Sequence, residues 1–285
     1  MVGITGYRML AEINRQTRLG KDIARAQSDI SSGKRLQTAS DDPAAWARVS
    51  VIKRSLANQS AWLTNANTAA SVADQVSSVL DGLSNSLQRA GELLVAANSA
   101  SSTPSDRASI ADELLGIADD IDASSGTVDS RGLPLFPTDD PLPIPISRVL
   151  QVTYTDTKAN VFDNVSTVAG AKSLSQILRD AATAITQADD PQRKIDSAIA
   201  NDEVQAGIAK VASLLGQHGV RAARIDSVKT SLQDSQLVLQ EEQGNLEGTD
   251  VASTIAGLQA NLLSLQAAQA AFAKINSTSL FDLIR

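Results

Sequence analysis

Residues 208–246 read IAKVASLLGQHGVRAARIDSVKTSLQDSQLVLQEEQGNL, with apolar or small side chains at Ile208, Val211, Leu215, Ala222, Ile225, Val228, Leu232, Leu239 and Leu246. Steps of three and four, averaging close to 3.5, hold one narrow stripe toward a partner helix, whereas the stripe of a surface helix on a globule drifts around its axis. Gly248 is a helix stop, and the pattern restarts as Val251, Ile255, Leu258, Leu262, Leu265, Phe272 and Ile275. The chain therefore ends in two helical segments that both need a partner.

Those partners are found upstream. Ser40-Asp41-Asp42-Pro43 is a helix start, because an Asp side chain can cap free backbone N–H groups and proline at the first helical position lacks a donor that would be unsatisfied anyway. From Val49 the apolar or small positions run through Ile52, Leu56, Leu63, Ala66, Ala70, Ala73, Val76, Leu80, Leu83, Leu87, Ala90, Leu94 and Ala97, with polar Gln59 in register. A continuous helix over residues 43–98 has a length on the order of 80 Å at the standard rise. Thr103-Pro104-Ser105-Asp106 caps a shorter helix carrying Ile110, Leu114, Ile117 and Ile121. Before all of these, Tyr7, Leu10 and Ile13, then Leu19, Ile23, Ala26 and Ile30, give two helical stripes offset by a six-residue step near Gly20, which predicts a helix with a weak point ending near Gly33.

Between Gly126 and about Lys172 the pattern changes. Prolines 134, 137, 141, 143 and 145 preclude a regular helix over 134–145. Val149–Thr155 is β-branched and aromatic enough for a strand, and Ala159–Val168 is expected to supply another. Helices resume at Ser173, with Leu174, Leu178, Ala181 and Ile185 on one face, and Asp189-Asp190-Pro191 opens the last long one. Two N-terminal helical stretches thus mirror two C-terminal ones around an insertion. The fold class that follows is mainly α, a long antiparallel coiled-coil or helical-bundle rod formed by the N- and C-terminal segments, with a small β or loop insertion domain.

Composition narrows the chemistry. The 285 residues are 42% hydrophobic but only 3% aromatic, a composition of helix-on-helix packing that argues against a large enclosed ligand cavity. The net charge of -7 and the lack of any Lys/Arg-rich run argue against nucleic-acid binding. With no cysteine there can be no disulfide, thiolate metal site or cysteine nucleophile. Residues 1–20 carry Arg8, Arg15 and Arg18 and have no apolar core of signal-peptide length, and no window approaches a membrane span. His218, the single histidine, falls on the core stripe with no ligand or nucleophile spaced nearby, so it reads as a packed structural residue. Trp46 and Trp62 read as packing anchors. The acidic pairs at 41–42, 119–120, 139–140 and 189–190 lack the spacing of a calcium loop and read as caps and solvated surface. No cofactor, metal site or catalytic constellation is expected, and the chain is not expected to be an enzyme.

Certain residues carry a resemblance. Ser32-Gly33-Lys34-Arg35-Leu36 followed by Ala39-Ser40-Asp41-Asp42-Pro43-Ala44 resembles the N-terminal signature of the family of bacterial flagellins and hook-associated protein 3, the hook-filament junction proteins. Gly219-Val220-Arg221, Leu246-Glu247-Gly248-Thr249-Asp250-Val251-Ala252 and Phe272-Ala273-Lys274-Ile275-Asn276 are similar to the C-terminal region of that family, and Ser279-Leu280-Phe281-Asp282-Leu283 resembles the junction-protein ending more than the Leu-rich tail of filament flagellins. The resemblance covers roughly residues 1–100 and 205–285; Ile284-Arg285 extends the tail with a charge, and the middle of the chain lies outside it.

The resemblance implies a terminal assembly domain from residues 1–40 with 248–285, a helical rod from 41–125 with 173–247, and an insertion over 126–172 facing outward. It implies an assembly interface made by Leu10, Ile13, Leu19, Ile23, Ile30, Val251, Ile255, Leu258, Leu262, Leu265, Phe272, Ile275, Leu280 and Phe281, ends that order on assembly, and secretion through the flagellar type III channel to an extracellular flagellum. The implied partners are further copies of the chain, a neighbouring hook-associated protein and flagellin, and an export chaperone, with no nucleic acid and no membrane span. Three readings stay open at this point: a junction protein, a filament-forming flagellin, and a soluble coiled-coil adaptor whose stripes serve only an internal bundle.

Overall fold

The computed structural model describes residues 2–282, with side-chain surroundings given for residue 7 and residues 9–274. Six α-helices account for most of it: α1 Val2–Ser32, α2 Pro43–Ala97, α3 Pro104–Ser125, α4 Leu174–Thr186, α5 Asp190–Glu247 and α6 Val251–Asp282. Four short strands, β1 Ile144–Pro145, β2 Gln151–Val152, β3 Val165–Thr167 and β4 Gly170–Lys172, lie between α3 and α4. The chain divides into two compact units, one of residues 1–57 with 236–285 and one of residues 58–235, and α2 and α5 contribute to both.

The helix boundaries follow the local chemistry. Thr103 accepts from the Asp106 amide while the Asp106 carboxylate accepts from the Thr103 amide, a reciprocal box that starts α3 with Pro104 behind it. Ser173 accepts from the Gln176 amide to start α4. Asp42 Oδ1 accepts from the amides of Ala44 and Ala45 at 3.1 and 3.0 Å and starts α2. The expected weak point in α1 is not realised, since the helix runs unbroken through Gly20. An interior glycine costs only about 1 kcal/mol relative to alanine, too little to break a helix that packs against α6.

In the unit of residues 58–235 the core sits among α2, α3, α4 and α5. Leu80, Leu87, Leu94, Leu114, Ile121, Leu174, Ile177, Leu178 and Ile185 are among its fully buried side chains. Gln59, the polar residue in the α2 stripe, donates from Nε2 to Ser235 Oγ of α5 at 2.9 Å, which explains how it is tolerated there. Arg179 of α4 donates to Asp119 and Asp122 of α3 at 2.9 and 2.7 Å, so that acidic stretch joins two helices.

The segment between α3 and α4 differs from the sequence expectation. Only Gln151–Val152 of the expected first strand pairs, antiparallel, with Ile144–Pro145. Residues Ala159–Asp163 make a single π-helical turn, and β3 begins only at Val165, where it pairs antiparallel with β4. The reason is that Val161 and Phe162 are adjacent and both buried, whereas a strand would point one of two neighbours away from the core. Leu135, Phe136, Val161, Phe162 and Val165 enter the same apolar cluster as α2 to α5, with the rings of Phe136 and Phe162 edge to face at 5.2 Å.

Candidate assembly interface

The site of interest lies in the unit of residues 1–57 with 236–285. It is built where the α1–α2 connection crosses the α5–α6 connection. Gly33 has φ of 69°, a conformation that glycine adopts at no steric cost, and this ends α1 and turns the chain back. The Arg35 and Leu36 amides donate to the Glu247 carbonyl at 2.8 and 3.3 Å, and the Thr249 amide donates to the Gly33 carbonyl at 3.1 Å. Gly248 is required for a different reason: a Cβ there would sit 2.5 Å from the Gly244 carbonyl oxygen.

Side chains then lock the crossing. The Glu247 carboxylate is buried and takes Lys34 Nζ at 2.8 Å on one oxygen and Lys53 Nζ at 2.7 Å on the other. Gln243 Nε2 also donates to it at 3.2 Å. Burial alone would push this carboxyl upward, but the two ammonium groups and the amide outweigh it and hold its pKa at about 2. Arg25 of α1 reaches Asp29 at 3.0 Å, Asp41 at 2.8 Å and the Arg35 carbonyl at 2.6 Å. Asp41 also accepts from the Gln37 and Thr38 amides at 2.9 and 2.7 Å. Arg25 first, then those amides, hold the Asp41 carboxyl well below the ordinary carboxylate range. Beneath these charges Leu36, Ala45 and Val49 form a small apolar cluster with Trp46 and Leu246 against it. A bidentate pair from Arg48 to Glu242, at 2.6 and 2.9 Å, closes the far side.

The crossing thus fixes the roots of α1 and α6, which pack against each other yet cover little of one another. Among described residues of α1 only Ile23 and Asp29 are buried, and of α6 only Ala268. Of the residues expected to form the interface, Leu10 is 58% exposed and Leu262 40%, and Ile13, Val251 and Ile255 are exposed as well. Leu19, Ile30, Leu258, Leu265 and Phe272 are half-buried, and Ile23 is buried. Ile275, Leu280 and Phe281 lie outside the residues whose side chains are described. The structure adds Met9 and Leu263, the latter 68% exposed. Leu263 stands next to Leu262 on the sequence and falls outside the single narrow stripe, since α6 is apolar on more than one side.

Elsewhere the singled-out residues fall in structural roles. His218 is buried, its Nε2 donating to the Ala73 carbonyl at 2.8 Å. Burial pushes its pKa down, so the ring is neutral and Nδ1 stays unprotonated and without a protein partner. Trp46 packs on the crossing cluster and Trp62 is half-buried. Among the described residues no group of three or more His, Cys, Asp or Glu side chains could hold a metal ion. Also among them, no helix is long and apolar enough to cross a membrane.

Comparison with known proteins places this architecture. The family model of the bacterial flagellin N-terminal helical region matches residues 8–137, and that of the bacterial flagellin C-terminal helical region matches residues 199–284. No curated protein matches the sequence. Among solved structures, a candidate flagellar hook-associated protein from Vibrio parahaemolyticus aligns with TM-score 0.66 at 17% identity over 73% of this chain and 100% of its own. Flagellar hook-associated protein 3 from Legionella pneumophila aligns with TM-score 0.62 at 13% identity, over 70% and 98%. A FlgL crystal structure from Xanthomonas campestris aligns with TM-score 0.58 at 13% identity, over 68% and 99%. At these identities the similarity is one of fold.

Proposed function

The chain belongs to the bacterial flagellin family and is a structural component of the flagellum rather than an enzyme, and from that premise we propose that it forms the junction layer between hook-associated proteins and the flagellin filament. The observation that carries the proposal is the pair α1 and α6, rooted by a hydrogen-bonded crossing and left with apolar faces toward solvent. Soluble chains rarely keep such contiguous faces unless a partner covers them. Neighbouring copies supply that cover: Leu10, Ile13, Leu19 and Ile30 of one copy pack with Val251, Ile255, Leu258, Leu262, Leu265, Phe272, Ile275, Leu280 and Phe281 of its neighbours, while Ile23 is already covered within its own chain. Residues 1–40 with 248–285 act as the assembly part, 41–125 with 173–247 as the supporting helices and 126–172 as the insertion. A repeated contact of unlike surfaces that does not close generates a helical tube, the geometry a layer between hook side and filament side requires.

The junction role, as opposed to that of filament subunit, draws support from the fold shared with hook-associated protein 3 and FlgL and from the ending Ser279-Leu280-Phe281-Asp282-Leu283. Export through the flagellar channel with the help of a chaperone, and contact with a hook-associated protein on one side and flagellin on the other, belong to the same proposal. Immunoelectron microscopy of isolated flagella tests it. The junction role predicts label confined to a band at the end of the hook; label along the whole filament makes the chain a flagellin, and its absence from flagella returns the coiled-coil adaptor.

A further inference from the structure

Residues 58–235 carry a knob and a groove that do not serve each other. The knob is the β1–β2 turn. Ser147 Oγ accepts from the Val149 and Leu150 amides at 3.3 and 3.0 Å, and the Leu150 carbonyl accepts from the Ile146 and Ser147 amides at 3.0 and 3.2 Å. The base is seated by Ile146 and Val152 against Ala66, Ala69, Ala73 and Ile225, and Asn65 donates to the Pro145 carbonyl at 2.8 Å. This rigid turn holds Val149 92% exposed beside exposed Arg148.

The groove lies between the β3–β4 hairpin and α5. One cavity of about 290 Å³ is lined mainly by apolar groups of Val168, Ile199 and Ala206, with Glu203 in its wall. A second of about 290 Å³ shares Ile199 and Glu203 and adds Lys172, Asp180 and Asp196. Each is at or below the lower end of the range for drug-sized ligands, about 300–1,000 Å³, and of a size for side chains. The linings of the two cavities together hold four carboxylates, Asp180, Asp196, Asp202 and Glu203, and one cation, Lys172, which bridges Asp180 and Glu203 at 2.8 and 2.9 Å, while Asp196 accepts from Gln187 and Gln192 at 2.8 Å each. Glu203 is 4% exposed, and its other carboxylate oxygen has no partner. Val168 at the lip is 99% exposed and Ile199 is 47% exposed. An aliphatic wall with an acidic rim fits an aliphatic side chain next to a basic one.

We propose that the occupant is a second copy of this chain, with Val149 seated against Val168 and Ile199 and Arg148 lying along the acidic rim. The knob and the groove are different surfaces of one chain, so the contact is head-to-tail and each copy offers a free knob to the next. It involves neither α1 nor α6, so it stands or falls separately from the junction role.

The absence of cysteine makes the test clean. Full-length Val149→Cys and Val168→Cys, both changes at exposed positions and checked for unchanged helicity, are mixed in equal amounts at high protein concentration with a short thiol-to-thiol crosslinker. The expected product is a heterodimer of the two variants well above that from Val149→Cys mixed with Leu142→Cys, a control position that is 83% exposed. Adding Arg148→Glu to the knob copy is expected to remove most of it, and adding Asp202→Lys to the groove copy to restore it. A yield no higher than the control, or one indifferent to Arg148→Glu, overturns the proposal. Whole-filament label or no label on flagella would overturn the junction role and leave this result untouched.

Discussion

Helices α4 and α1 both carry an apolar stripe, α1 among many more charged residues, and they behave in opposite ways. The thirteen residues of α4 bury eight side chains, among them Leu174, Ile177, Leu178 and Ile185. The thirty-one of α1 bury only Ile23 and Asp29 among those described. Beyond that difference in polarity, the chain itself provides the two stripes with different numbers of neighbours. Helix α4 is surrounded by α3, the inserted segment and the long helices, so its stripe is consumed internally. Helix α1 has α6 beside it, and two helices alone can hide only the line along which they touch. Periodicity reports that a helix needs a partner, and it does not report whether the partner is in the same molecule.

The contrast can be broken most forcefully from the α4 side. Ile177→Asp places an unpaired carboxylate in a fully buried site, and is expected to abolish the cooperative thermal unfolding of residues 58–235, since uncompensated buried charge commonly exceeds about 4 kcal/mol. Leu178→Ala in the same core should cost about 2–5 kcal/mol, read by chemical denaturation. At the crossing the effect is intermediate. Glu247→Gln removes the partner of two half-exposed lysines and is expected to cost about 1–2 kcal/mol, discounted for their exposure, with the loss seen as faster amide exchange in residues 33–36 and 247–249. Smallest of all for the isolated chain is Leu262→Asp, within about 0.5 kcal/mol because the side chain is already exposed, although it should strongly reduce incorporation into flagella. A large loss of folded stability from that substitution would mean that α6 is covered from within.

Acid should sharpen the same contrast by separating the two regions along the pH axis. His218 has its folded pKa lowered by burial, so the unfolded chain binds the proton first and residues 58–235 lose stability as pH falls below about 6.5. Glu247 is also lowered, but as an acid its contribution is fully present above the unfolded value of about 4.3 and is lost only as pH falls toward about 2. The bundle is therefore expected to weaken from near pH 6 while the crossing keeps its charge pairs down to near pH 4, with His218→Gln flattening the first limb and Glu247→Gln the second. Tryptophan fluorescence of single-Trp variants separates them, since Trp46 sits on the crossing cluster and Trp62 in the other unit.

The long helices were legible because their stripes persist: residues from Val49 to Ala97 and from Ile208 to Leu246 named by spacing are buried or half-buried, and the caps at Asp42, Thr103 and Ser173 act as their residue types suggest. Short patterns were less informative. Propensity alone makes Gly20 a weak point in its helix, because it takes no account of α6 beside it, and β-branched content makes all of Ala159–Val168 a strand, of which only Val165–Thr167 pairs because Val161 and Phe162 are both buried. The Lys34–Glu247–Lys53 cluster was missed because nothing local marks a pair 213 residues apart. Its one trace was that Lys34 and Glu247 each adjoin a glycine that ends a helix, and that both fall in the stretches that resemble the flagellin family. As for the interface, sequence locates the apolar side chains on α1 and α6, but their exposure shows only in the fold, where few of the described residues of either helix are buried.

The central claim, that the α1 and α6 faces are made for neighbouring copies, is tested most directly by the reactivity of one thiol. Leu262→Cys in this cysteine-free chain should react with a soluble maleimide quickly in the isolated protein and at least tenfold more slowly, about 1.4 kcal/mol of protection, once the protein is built into flagella. Equal reactivity in both states would show that assembly leaves this face bare.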